Sequence, residues 1–237
     1  MKTNLETLKK RGFLTSIEAE PFFLYSKEEL FNLLNDKQAV NRTAALYVLK
    51  KIVSINELDE IILMMLTKEK ALYTKLEICN ILTAGNELTI KRMIPYVGKI
   101  GGNQYRNIAK KVSMKKSYPL PRDIIARTMA KMSPQYFESI LEYLNYNDDV
   151  VVAEIIDAVG WQVFYHQELA VEKYYQIIIG LLKRYQDNEL ILWKLIICLS
   201  SFNQAEDLLR YWECSNSIIK QEIQRSINLI IKRRKII

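Results

Sequence analysis

The chain has 237 residues, enough for one domain or two, and 49% of them are hydrophobic. Seven glycines and five prolines are too few for a sheet-rich fold with many tight turns, so the composition points to helices. The net charge is +7, but residues 91–133 hold 11 basic side chains against one acid, Asp123. Residues 1–90 are balanced at 12 and 12, residues 134–215 hold 5 basic against 13 acidic, and residues 216–237 hold 6 against 1. Asymmetry of this kind predicts an electrostatic partner surface, with a solvated face that binds nothing as the competing reading.

Cys79, Cys198 and Cys214 have no C-x-x-C spacing. An odd count without an apolar leader predicts reduced thiols and a cytoplasmic protein. The longest apolar run, Ile61 to Leu66, falls far short of the ~20 residues a membrane helix needs, so no membrane partner is expected.

In chain order, Ser26-Lys-Glu-Glu29 reads as a capping box for a helix over 27–35. Asp36 is an N-cap candidate for a helix with Val40, Ala44, Tyr47 and Val48 on one stripe. Ser54-Ile-Asn-Glu57 reads as a second capping box, before a helix over 55–66. Gly98, Gly101 and Gly102 break the chain. Asn103 then caps an expected helix over 104–115, with Tyr105, Ile108 and Val112 on its docking side. Arg106 and Lys110 share an opposite stripe, and Lys111 and Lys115 share another. Ser117 to Pro121 reads as an extended connector, because a residue before proline is pushed out of the α region. Residues 98–121 therefore mark a hinge or an interrupted repeat. Pro121 and Ser133-Pro134 read as helix starts. Helices over 135–146, 169–185, 188–201, 204–212 and 216–232 follow.

Four segments align when anchored at Asp36, Lys68, Asp148 and Asp187. Four positions on they carry Val40, Leu72, Val152 and Ile191; eight on, Ala44, Leu76, Ile156 and Leu195; eleven on, Tyr47, Cys79, Val159 and Cys198. This spacing keeps each set on one helix face. A preceding helix makes each unit a hairpin, and hairpins recurring at such intervals predict an α-solenoid. Val40-Asn-Arg42-Thr-Ala-Ala45-Leu-Tyr-Val-Leu resembles the second helix of HEAT-like repeats. That resemblance implies an all-α fold: a right-handed α-solenoid of about six HEAT-like helix hairpins, in one domain over 1–237.

The candidate binding residues are Arg106, Lys110, Lys111, Lys115, Lys116, Arg122 and Arg127. Many cations on one face suit an acidic protein groove or a row of phosphates. Tyr96, Tyr105 and Tyr118 lie among them, either to stack on bases or to pack in the core or rim. A non-enzymatic scaffold with an acidic protein partner is the first expectation, and a nucleic-acid binder is the alternative.

No cofactor or metal is expected. His166 is the only histidine, and no cysteine has a neighbouring ligand. A Gly-x-Ser-x-Gly elbow, a Gly-x-x-x-x-Gly-Lys loop and Gly-x-Gly-x-x-Gly are all absent. Cys79 and Cys198 read as small core side chains, and the basic C-terminus as a complement to its helix dipole, with a second anion-contacting patch or a short tail docking on a partner as the alternative. The helix ending Asp157-Ala-Val-Gly160-Trp161 resembles the alkylpurine DNA glycosylases built from HEAT-like repeats. That resemblance implies a basic concave face for DNA, with Asp157 as the catalytic candidate. The Trp-Trp-x-x-x-Asp-like segment of that family is missing. On the residues alone, Asp157 is a polar-face residue of its helix.

Overall fold

A computed structural model describes residues 4–235. Among these residues every regular element is helical and there is no strand. The chain divides into two compact units, the first ending at Tyr96 and the second beginning at Val97.

The first unit holds α1 (Leu5–Lys10), α2 (Ser16–Ala19), α3 (Lys27–Leu33), α4 (Ala39–Ile52), α5 (Ile55–Lys68), α6 (Leu72–Thr83) and α7 (Glu87–Met93). Within it α3 packs on α4, α4 on α6, α5 on α6, and α5 on α7. The Ser26 capping box forms as expected, with Glu29 Oε2 accepting the Ser26 N–H at 2.7 Å. Ser54 precedes α5 but its side chain caps nothing. Asp36 does not cap α4 directly, since Gln38 takes the N-cap position. Asp36 Oδ1 instead accepts the Gln38 N–H at 2.7 Å, one step before the helix.

The repeat stripe fails in α6. Leu72 and Leu76 are exposed, whereas Thr74, Ile78 and Ile81 are buried. Lys68 is the last residue of α5, so the turn falls at 69–71 and the buried face shifts by two residues. Cys79 is accordingly half-buried rather than a core residue.

The second unit holds α8 (Ile124–Ala130), α9 (Phe137–Leu141), α10 (Asp149–Tyr165), α11 (Glu172–Arg184), α12 (Glu189–Leu199), α13 (Ala205–Arg210) and α14 (Ser217–Arg234). Helices α8, α10, α12 and α14 pack in succession, while α9, α11 and α13 pair with α10, α12 and α14. Helices α10 and α12 are apolar nearly all round; α12 is almost wholly buried and α10 is buried over most of its length, as such a composition requires. Here the stripe is in phase: Val152, Ile156, Val159, Ile191, Leu195 and Cys198 are buried. Gly160 makes the α10–α12 approach close, because a Cβ there would meet the Tyr118 hydroxyl at 2.0 Å and the Cys198 Cα at 3.0 Å. Helix α11 begins at Glu172, three residues later than expected, after a short 3₁₀ turn over Gln167–Leu169.

Within each unit, several polar links join helices that are distant in sequence. Arg42 forks the Glu69 carboxylate at 2.7 and 2.8 Å, 27 residues on. Thr89 donates to Asp59 across 30 residues, Gln162 to the Met129 carbonyl across 33, and Ser201 to the Gly160 carbonyl across 41. Such bonds tie successive helices of a unit together.

Residues 97–123 form no helix, which corrects the helix expected over 104–115. The stretch contains no acid that pairs with its cations at i, i+4. Arg106 with Lys110 and Lys111 with Lys115 would repel at that spacing. The segment is held by tertiary bonds instead. Gly98 takes φ +73, a left-handed conformation suited to glycine, and donates its N–H to Asp123 Oδ2 at 3.1 Å. Gln104 Nε2 donates to the same oxygen at 2.8 Å. Asp123 Oδ1 meanwhile accepts the Ile125 and Ala126 N–H groups, so Asp123 and not Pro121 starts α8. The single acid of the basic segment is a fully buried staple.

A basic groove and an adjoining polar cavity

The irregular segment and α14 enclose a groove of about 950 Å³. Its rim carries Lys110, Lys111, Lys115, Lys116 and, from α14, Lys232. All five are exposed, and none makes an ion pair among the described residues. Its apolar lining is Val112, Ile218 and Leu229, with Met114 95% exposed at the rim, and no aromatic ring lines it. Gln221, Gln224 and Asn228 add neutral donors and acceptors along α14.

Four of the expected binding residues therefore converge at the groove; Arg122 meets Lys111 and Lys115 only at the adjoining cavity, and Arg106 and Arg127 lie apart. Arg106 borders a separate depression of about 500 Å³ that also holds Asp149, Asp187 and Glu189. Arg122 lies over the Tyr105 ring, 4.4 Å from its centroid. Arg127 turns inward and donates from Nε to the Pro121 carbonyl at 2.7 Å, a structural bond. Of the tyrosines, Tyr118 is buried against Phe164, so it offers no face to a base.

Sequence reasoning could not single out Lys232, because residues 232–235 read as one basic run. Helical phase separates them. Arg233 donates to the Ser200 carbonyl at 2.9 Å and to Asn203, and Arg234 pairs with Glu206 at 2.6 Å. Lys232 is left facing the groove.

Behind the rim lies a cavity of about 310 Å³ that shares Lys111, Ser113, Lys115 and Arg225 with the groove. Tyr105 and Trp193 meet edge to face in its wall at 5.0 Å. Asp157 lines it, but the Asp157 carboxylate is bound to Lys194 Nζ at 2.9 Å. Lys194 is fully buried and also reaches Glu154 at 2.9 Å. Burial pushes Glu154 from its ordinary 4.5 up to about 7, with Lys194 opposing the rise and Asp157 adding to it. Burial raises Asp157 as well. Burial opposes charge on Lys194, yet Asp157 and Glu154 hold its pKa above the usual lysine value.

On α14, Glu222 Oε1 accepts from Arg225 Nη1 at 2.6 Å. Arg225 Nη2 donates to the Ser117 carbonyl at 2.9 Å, which pins the irregular segment to α14. Burial raises Glu222, while Arg225 and the nearby Trp193 N–H hold it down. Even so, Trp193 Nε1, Arg225 Nε and Glu222 Oε2 complete no hydrogen bond of good geometry. His166 lies 3.5 Å from Glu168. Among the described residues no group of three or more His, Cys, Asp or Glu is placed to hold a metal ion. No helix there is long and apolar enough to cross a membrane.

No family model and no curated protein matches the chain. Among solved structures, an engineered protein is similar to it, with 13% identity and a TM-score of 0.39 over 88% of this chain and 98% of that one.

Proposed function

We propose that this protein is a non-enzymatic scaffold of HEAT-like helix hairpins, arranged as a right-handed solenoid, that binds an acidic segment of a protein partner. The repeat reading is supported by the sequence period and by polar links that join residues 27 to 41 positions apart. The binding reading rests on one observation: five lysines without ion pairs rim a groove whose apolar lining is aliphatic. Lysines steer an acidic chain and the lining retains its apolar side chains. A groove without aromatic rings offers bases nothing to stack on.

The alternative is a nucleic-acid binder with glycosylase-like chemistry at Asp157, favoured by the place of Asp157 in the cavity wall. The ion pair to Lys194 counts against a free catalytic carboxylate.

Fluorescence anisotropy separates the two. The probes are a labelled Glu/Leu-rich peptide and labelled single-stranded DNA, at ~50 and ~200 mM salt. The peptide is expected to bind, to keep much of its affinity at the higher salt, and to lose it in a Lys110→Glu, Lys116→Glu, Lys232→Glu variant. DNA bound alone, falling steeply with salt, points to the alternative. Binding of neither probe overturns both readings.

A further inference from the structure

We infer that the groove takes its acidic segment as an extended strand, laid between residues 110–116 and α14 and hydrogen-bonded along both edges. This deepens the proposed function and rests on it.

The first edge is backbone. Among the described residues, 110–116 make no backbone–backbone hydrogen bond. None of them is proline, so each has an N–H and a C=O to place. Only the Lys115 N–H is used within the chain, donating to Ser113 Oγ at 3.2 Å. Residues 112–115 run without a bend or turn. A backbone of that form can accept a second one alongside, as peptides do when they add a strand.

The second edge is side-chain amide. Gln221, Gln224 and Asn228 line the groove from α14, and all three are exposed. Gln224 Nε2 donates to Asn228 Oδ1 at 3.2 Å. That leaves Gln224 Oε1, the Asn228 N–H groups and the whole Gln221 amide open to a ligand. An amide offers both a donor and an acceptor, the two groups an extended backbone presents along its edge. A helical occupant bonds its own backbone and would use neither edge.

Length and charge agree with a strand. Ile218 and Lys232 both line the groove, and along α14 they stand about 21 Å apart. About six residues of strand cover that distance. Successive side chains of a strand point to opposite faces. Alternating acidic and apolar residues would therefore meet the lysines on one face and Val112, Ile218 and Leu229 on the other.

The test is calorimetric titration of the full chain with three kinds of peptide. One is a linear peptide of alternating Glu and Leu. The second kind is the same peptide N-methylated at one backbone nitrogen at a time. The third is a lactam-locked helix of the same composition. The linear peptide is expected to bind at least about tenfold tighter than the helix. Each methyl within the bound span should weaken it about fivefold, the effect of one lost hydrogen bond. The variant Gln221→Ala, Gln224→Ala, Asn228→Ala removes exposed amides, so its thermal stability should hold. In that variant every second methyl should lose its effect, because alternate N–H groups of a strand face opposite edges. A helix that binds as tightly as the linear peptide overturns the strand and leaves the groove reading intact, as do methyls without effect. Methyl effects that the amide variant leaves unchanged overturn the two-edged strand as well. Binding of neither the linear nor the helical peptide overturns the groove reading, and the strand with it.

Discussion

Lys194 and Lys116 carry the same ammonium group within the same unit, in opposite settings. Lys194 sits in the apolar run of α12, fully buried, with two carboxylates at 2.9 Å. Lys116 stands in solvent on an irregular segment with no ion pair. A buried charge must be matched inside the fold, because water is no longer there to solvate it. An exposed charge left unmatched is available to something outside. The α10–α12 core thus uses charge to hold two helices in register, and the 110–116 segment offers charge to a partner.

The largest effect expected from this contrast is at Lys194. Lys194→Ala strands Glu154 and Asp157 without a cation, and breaking a buried pair costs roughly 3–5 kcal/mol. Urea unfolding of the variant measures it, and a loss below about 1 kcal/mol would mean the triad is not structural. The triple variant Lys194→Met, Glu154→Gln, Asp157→Asn should recover most of the loss, since well-packed neutral groups often match a buried ion pair.

The same triad makes stability depend on pH. The Glu154 carboxyl moves from 4.5 to about 7 on folding. Between these values the folded chain holds a proton that the unfolded chain has released, so stability falls as pH rises through that window. The fall is on the order of 3 kcal/mol and is complete above the folded value. Glu154→Gln should flatten the profile between pH 4.5 and 7. An unchanged slope would place the titration elsewhere.

Asp123 comes next. Its carboxylate accepts four hydrogen bonds, two that cap α8 and two that hold Gly98 and Gln104. Asp123→Ala should cost about 2 kcal/mol, the range of a lost cap with buried donors left unpaired. Hydrogen exchange at the Gly98 amide should accelerate more than exchange in α10. Uniform acceleration across both would show that the segment and the core open as one.

Much of the helical content was legible from local signals, and the Ser26 capping box and the α10 and α12 stripes are cases where local chemistry decides. The triad also left a trace: Lys194 is a lone cation among Ile191 to Leu199, and Glu154 and Asp157 interrupt an equally apolar run. Read singly, Asp157 looks like a polar-face residue; only pairing across helices gives it a partner. The conformation of 97–123 was not legible, because Asp123 holds it from 25 residues away. Nor could the basic run 232–235 be divided without the phase of α14.

The smallest effect, and the sharpest test of the contrast, is at the groove rim. Lys110→Ala, Lys116→Ala and Lys232→Ala remove exposed cations that satisfy nothing in the fold. Truncating them breaks no ion pair and relieves repulsion among neighbours of the same sign. The denaturation midpoint should stay where it is or rise slightly, and the gain should vanish at high salt as the repulsion is screened. A clear drop in the midpoint would mean that these lysines support the segment rather than wait for a partner, and the distinction between them and Lys194 would collapse.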